Sequence, residues 1–323
     1  MDMDHAIQPG LVSVVLCVYN AGEFLRPSVE SILGQTYRDL ELLIVDDGST
    51  DGCLSSIEGV SDARMRILSQ ENRGKPAALN RALSEVHGEF YAIQDADDLS
   101  HPRRIEKQVQ GLRESPSTAA VFCGYDLILN GRHVAPKFAA RDLEQCRKDV
   151  EKMHMPGHDP TAMYRVLMVR EFRYDEELPI VEGYDYVVRV GERFPMMVLG
   201  ECLYSYRVHW NTVTKRDPTV RQQMLRKAKE KVLERRGLPR DESLLPEVSQ
   251  PGRIKNKHRD NDVVSHFMAS VVDLRHAGKW RAAAHAAATC LLLHPLDPYY
   301  YKPTPYVIAP LALIDWYRAR KRE

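Results

Sequence analysis

The sequence predicts an α/β fold: a mostly parallel sheet with helices on both faces, followed by a C-terminal α-helical extension. Three observations predict it. Residues 11–125 alternate between the two-residue period of strands and the 3.6-residue period of helices. Two acidic clusters, Asp46-Asp47 and Asp95-Ala96-Asp97-Asp98, each follow directly on an apolar strand candidate. Beyond Asn211 only helical patterns remain. Strands alternating with helices build a doubly wound sheet, whose sites lie at the carboxyl ends of the strands. Both acidic clusters fall at such ends.

Taken in order, residues 11–18 (LVSVVLCV) form an apolar, β-branched run of the kind buried on both faces of a sheet. Asn20 is placed to cap the next helix, where Phe24, Leu25, Val29, Ile32 and Leu33 recur at helical spacing, and Gly34 is placed to stop it. Residues 40–45 and 65–68 read as strands, 75–86 as a helix and 89–94 as a fourth strand. Residues 102–114 read as a helix opened by proline, and 119–125 as a fifth strand. Residues 126–148 read as a connection with a polar helix, and 154–160 as a loop. An apolar segment resumes at 161–169; 186–190 lies on a helix, and 203–209 is the last strand. Helices follow at 220–236, 263–277 and 280–293, the last two joined at Gly278. The expected organisation is one domain over 1–214 and a helical region over 215–323.

The 323 residues, 44% hydrophobic, suffice for a large core. With 45 basic and 45 acidic side chains the chain carries no net charge, which argues against a nucleic-acid binder. The charge is uneven, however. From 215 to 259 fourteen Lys and Arg face six Asp and Glu, so the first 214 residues are acidic. Two readings of that basic stretch stay open: a solvated helix, or docking on an anionic headgroup or polymer. Six cysteines show no CxxC spacing, which excludes a zinc ribbon or redox dithiol and suits a reducing compartment. Residues 1–9 hold Asp2, Asp4 and His5 and do not read as a secretory signal. The expected location is cytoplasmic, with a peripheral contact at the inner face of the membrane left open. The aromatic-basic end, Trp316 to Arg322, is of the interfacial type.

In Asp95-Ala96-Asp97, read as extended chain, the two carboxylates point the same way. Two hard oxygen donors beside phosphate oxygens suit Mg²⁺ or Mn²⁺. The chain has no G-x-G, which excludes a nicotinamide oxidoreductase, and Tyr19-Asn20-Ala21-Gly22-Glu23 lacks the basic Gly-rich loop of a nucleotidylyltransferase.

The runs from Val12 to Asn20, Ser31 to Tyr37 and Val45 to Asp51, then Asn72-Arg73-Gly74, Asn80 and Asp95 to Asp98, resemble the family 2 inverting glycosyltransferases in order and spacing. The resemblance is specific over 11–125 and looser up to His209. It implies a GT-A (Rossmann-like) fold and sugar transfer from a nucleotide-diphospho-sugar donor to a saccharide or lipid-linked acceptor, in polysaccharide, cell-envelope or glycolipid synthesis. Carried over, it implies that Cys17, Tyr19 and Asn20 line the nucleoside pocket, that Asp47 holds the base, that Asp95 with Ala96 reaches the ribose, and that Asp97 holds the divalent metal. Lys75, after Gly74, offers charge to a phosphate. Tyr206-Arg207-Val208-His209 resembles the closing motif, with His209 near the diphosphate, and His158 falls at an acceptor-side position. Family members carry Glu-Asp before an Arg-containing helix, the Asp acting as general base. Counting back from Arg189 places Gly183 at that Asp, so Glu182 and Asp185 are the candidate bases, with Glu182 favoured. A catalytically weak nucleotide-sugar-binding scaffold is the alternative. The C-terminal region is expected to cover the acceptor site, form a homodimer or rest on a membrane.

Overall fold

The computed structural model describes residues 7–208, 218–248 and 261–322. The first half follows the predicted alternation: β1 (Gln8–Val18), α1 (Leu25–Leu33), β2 (Leu40–Asp46), β3 (Met65–Ser69), α2 (Lys75–Leu83), β4 (Gly88–Asp95), the short β5 (Leu99–Ser100) and α3 (Arg104–Glu114). Next come β6 (Ala120–Leu129), β7 (Arg132–Lys137), α4 (Leu143–Glu151), β8 (Ala162–Arg165), α5 (Val166–Val169), α6 (Glu182–Arg193) and β9 (Met196–Arg207). Helices α7 (Pro218–Arg235), α8 (Asn261–His276), α9 (Trp280–Leu293), α10 (Thr304–Ile308) and α11 (Leu311–Arg322) follow.

The strands join in one sheet of order β3-β2-β1-β4-β8-β6-β9-β5, with β7 paired to β6. Strands β3, β2, β1 and β4 are mutually parallel, as are β6 and β9, while β8 runs antiparallel between β4 and β6. Because side chains alternate along a strand, β1 serves two cores. Val12, Val14 and Leu16 pack with Val29 and Ile32 of α1 and Ile105 and Val109 of α3. Val15 packs on the opposite face with Ala78 of α2, Val187 of α6 and Val232 of α7. That double burial is why the strand reads as an unbroken apolar run. A third core holds Phe267 and Val271 of α8 and Ala286 and Cys290 of α9 against Leu127 of β6 and Ala135 of β7.

The structure corrects several expectations. Asn20 does not cap a helix: it sits at φ 54°, and its side-chain oxygen accepts from the backbone N–H of Thr50 and Asp51. The polar helix expected within 126–148 is α4, but the residues before it, 126–137, belong to the β6–β7 hairpin. Asn130 and Gly131 turn it at φ 49° and 74°, the two left-handed residues that a tight two-residue hairpin requires. The last strand begins at Met196 rather than at 203.

Among the described residues, the α7 part of the basic stretch finds partners within the chain. On α7, Lys227 and Lys231 pair with Glu177, Lys231 with Asp175, and Arg235 with Asp185 and Glu192. These pairs tie the basic α7 to the acidic first part of the chain.

Candidate functional site

Strands β1, β2 and β4 lie side by side with Cys17 in register with both Val45 and Asp95. Their carboxyl ends therefore deliver Cys17, Asp47 and Asp95 to one end of the sheet. Asp47 is 3% exposed and does local work. One carboxylate oxygen accepts from the Gln70 side chain (2.8 Å) and the Arg73 N–H (2.9 Å), the other from the Gly74 N–H (2.8 Å). This carboxylate thus shapes loop 70–74, which leads straight into Lys75 at the start of α2.

Lys75 is the centre of charge. Its ammonium lies 2.7 Å from Asp95 Oδ1 and 3.4 Å from Glu182 Oε1. Burial disfavours the ammonium, but the carboxylates of Asp95, Glu182 and Asp159 outweigh it and hold its pKa well above the ordinary value. Glu182 opens α6 and is 8% exposed; burial raises its carboxyl and Lys75 opposes the rise. Burial likewise pushes the Cys17 thiol far up, so it is a neutral part of the site floor. Tyr19 is 53% exposed beside it.

The Asp95–Asp97 geometry differs from the expectation of an extended pair. Asp95 ends β4, and Ala96 and Asp97 form a turn closed by the Asp98 N–H on the Asp95 carbonyl (3.2 Å). Ala96 is buried in the core shared with α1 and α3. Asp98, fully buried, accepts from the Tyr204 hydroxyl and the Arg207 N–H (both 2.8 Å). Arg207 also donates its Nε to the Asp97 carbonyl (2.8 Å), so the closing motif of β9 clamps this turn. Among the described residues no group of three or more His, Cys, Asp and Glu surrounds a metal-sized space. The donor set is instead one or two carboxylates, the kind that holds Mg²⁺ or Mn²⁺ when a diphosphate completes the shell.

Asp185 is not with the cluster. It is 1% exposed and bound by Arg189 (2.6 Å) and Arg235 (3.2 Å), which makes it a tie between α6 and α7. His209 lies outside the described residues. His158 is half-buried, with its ring edge-on to Tyr206 and tilted against Tyr125, and desolvation pushes its imidazole down to about 4.

Two residues at this end of the sheet were missed. Asp159, 5% exposed, accepts from the hydroxyls of Tyr164 (2.6 Å) and Tyr174 (3.1 Å). Arg104, fully buried, donates to the carbonyls of Ile93 (2.9 Å), Pro160 (2.8 Å) and Ala162 (3.3 Å), and so ties the end of β4 to the turn bearing Asp159. A lone Arg on a helix gives no sequence signal. Asp159 had one, a carboxylate beside the singled-out His158.

The family model described as glycosyl transferase family 2 matches residues 13–170. A glycosyltransferase of Rickettsia prowazekii is 33% identical over 64% of this chain and 67% of its own length. This chain belongs to glycosyl transferase family 2. Another relative, from Haemophilus influenzae, is 32% identical over 62% of this chain and 66% of its own length, just under two thirds. Staphylococcus aureus TarS 1–349 in complex with UDP superposes with a TM-score of 0.57 at 18% identity, covering 92% of this chain and 88% of TarS 1–349. The Pyrobaculum calidifontis mannosyltransferase PcManGT, in complex with GDP-Man and Mn²⁺, gives 0.56 at 20% identity, covering 97% and 88%. These likenesses show the fold, and it is the GT-A fold that the motifs implied. In this family 2 member the family's motifs converge on Lys75 and the turn at Asp97.

Proposed function

We propose that this protein transfers a sugar from a nucleotide-diphospho-sugar to an acceptor hydroxyl by a single, inverting displacement, in the building of a polysaccharide, cell-envelope or glycolipid structure. The observation that carries this reading is the Lys75–Asp95–Glu182 cluster at the carboxyl ends of parallel strands, beside the Asp97 turn. TarS binds UDP and UDP-GlcNAc and PcManGT binds GDP-Man, which supports the donor class.

In this reading Cys17, Tyr19, Asn20 and the Asp47-held loop line the nucleoside site, and Asp95 with Ala96 faces the ribose. Asp97 would hold a divalent Mg²⁺ or Mn²⁺, whose positive charge would offset that of the diphosphate. Lys75 places a fixed positive charge at the same end. An acceptor hydroxyl ionises far above neutral pH, so a buried carboxyl must take its proton as it attacks the anomeric carbon. One carboxyl suffices for a single displacement, unlike the pair that flanks a bond in glycoside hydrolysis. The test is the anomeric configuration of the product by NMR: inversion is expected, and retention overturns the mechanism.

The domain reading follows, with 1–214 carrying the donor site and 215–323 as a helical region. Leu292, Leu296, Ile308, Leu313 and Trp316 are exposed there. No helix among the described residues is long and apolar enough to cross a membrane. A peripheral contact with an anionic membrane is therefore the reading we favour for this region. Co-sedimentation with phosphatidylglycerol vesicles tests it, and a dimer that ignores vesicles overturns it.

A further inference from the structure

The resemblance places Gly183 where family members carry the Asp of their Glu-Asp pair, and Glu182 at the place of the Glu. The backbone does not need a glycine there: Gly183 is inside α6 and is absent from the left-handed region. In a helix, glycine costs about 1 kcal/mol relative to alanine. What glycine supplies is room. A Cβ on residue 183 would lie 2.7 Å from the Cβ of Asp159 and 2.9 Å from its Oδ2. The side chain of Asp159 fills the space that a residue 183 side chain would take.

Asp159 reaches this space from a one-turn helix, Asp159–Thr161, that precedes β8. Its carboxylate is held by the Tyr164 and Tyr174 hydroxyls, one on each oxygen, so each oxygen keeps a lone pair. The two tyrosines are themselves fixed. Tyr164 stacks on Tyr91, Tyr174 stacks on Tyr186, and the Tyr91 and Tyr186 hydroxyls share a hydrogen bond. Arg104 grips the carbonyls on either side of Thr161.

We infer that the base which deprotonates the acceptor is Asp159, whose carboxyl takes the place of one on residue 183. The inference rests on the sugar-transfer reading above. As the acceptor oxygen bonds to the anomeric carbon, the bond to the diphosphate oxygen breaks, and the nucleoside diphosphate leaves with that electron pair. The acceptor proton passes to Asp159. Glu182 stays with Lys75 as a charge partner.

The groups facing Asp159 are Lys75 from α2, Glu182 and Tyr186 from α6, Tyr91 from β4, Tyr164 from β8 and Tyr174. Burial raises its carboxyl to about 7, against the pull of the two tyrosine hydroxyls and Lys75. A base with that value is poised for neutral pH.

The test compares wild type, Asp159→Asn, Glu182→Gln and the double variant Asp159→Gly/Gly183→Asp. Nucleoside diphosphate release from UDP-, GDP- and dTDP-sugars with Mn²⁺ and a panel of saccharide and lipid-linked acceptors is followed from pH 5 to 9, with calorimetric binding of UDP, GDP and dTDP. Asp159→Asn is expected to lose kcat by at least about 100-fold while nucleotide affinity stays within about twofold. The wild-type acid limb near pH 7 should vanish in it. The double variant, which returns a carboxyl to residue 183, should recover at least about tenfold over Asp159→Asn, with its acid limb at lower pH. A folded Asp159→Asn protein with wild-type kcat, or a wild-type acid limb moved only by Glu182→Gln, overturns this inference alone. A wild type that binds nucleotide yet releases none from any donor defeats the transferase reading, and this inference with it.

Discussion

Lys75 stands among the carboxyls of Asp95, Glu182 and Asp159, two of them within ion-pair distance. Its ammonium opposes the burial that raises Glu182 and Asp159. In Lys75→Met both acids should keep their protons to higher pH, so the acid limb of turnover moves up and activity falls by about 100-fold. Turnover with an unmoved limb contradicts this. Asp159 also makes a stability prediction. Its folded value of about 7 lies above the ordinary 3.8. Between about pH 4 and 7 the folded protein holds a proton that the unfolded chain has released, so stability falls as pH rises through that window. Asp159→Asn removes that slope. Its melting temperature should decline less than the wild type's from pH 5 to pH 8, and equal declines would refute the raised carboxyl. Lys75, Asp95 and Glu182 were legible because each sits in a local motif. Asp159 carried only its position beside His158, because its place depends on a Cβ that Gly183 lacks, in a helix that packs on it only after folding.

At the scale of elements, Arg104 couples the end of β4 to the start of β8. It is fully buried, and besides three carbonyls it donates to Gln94, Ser100 and Gln108. Arg104→Met leaves these acceptors buried and unpaired, at a cost of more than about 3 kcal/mol. Arg104→Lys, with three donors in place of a planar fork, recovers only part of it. Chemical denaturation midpoints check both values, and a neutral Arg104→Met refutes the coupling. Strands β1, β2 and β4 were legible from their apolar runs, and so were the helices between them. The β6–β7 hairpin carried a usable Asn130-Gly131 signal that the polar composition of 126–148 outweighed. β9 was read seven residues short because Gly200 and Glu201 interrupt its alternation and are exposed in the structure.

Across the whole molecule, the acidic first part is tied by ion pairs to α7, the described helix of the basic stretch. Neither alternative read from the sequence described that, because pairing partners some 40 to 60 residues apart leave no local pattern. Helices α8 and α9 cover the β6–β7 hairpin with Phe267 at 0% exposure. Phe267→Ala should cost about 3–5 kcal/mol and loosen these helices before the parallel sheet, seen as earlier hydrogen exchange in 261–293; exchange that rises uniformly over the chain contradicts that order. The cluster itself makes the central claim, that this end of the sheet turns over an activated sugar held through Asp97. The most direct measurement is nucleoside diphosphate release from UDP-, GDP- and dTDP-sugars in Mn²⁺, with a panel of saccharide and lipid-linked acceptors, by wild type and Asp97→Ala. The account predicts release from at least one donor by the wild type and a loss of about 100-fold or more in Asp97→Ala at an unchanged melting temperature. Equal release by the two proteins, or nucleotide binding with no release from any donor, would contradict it.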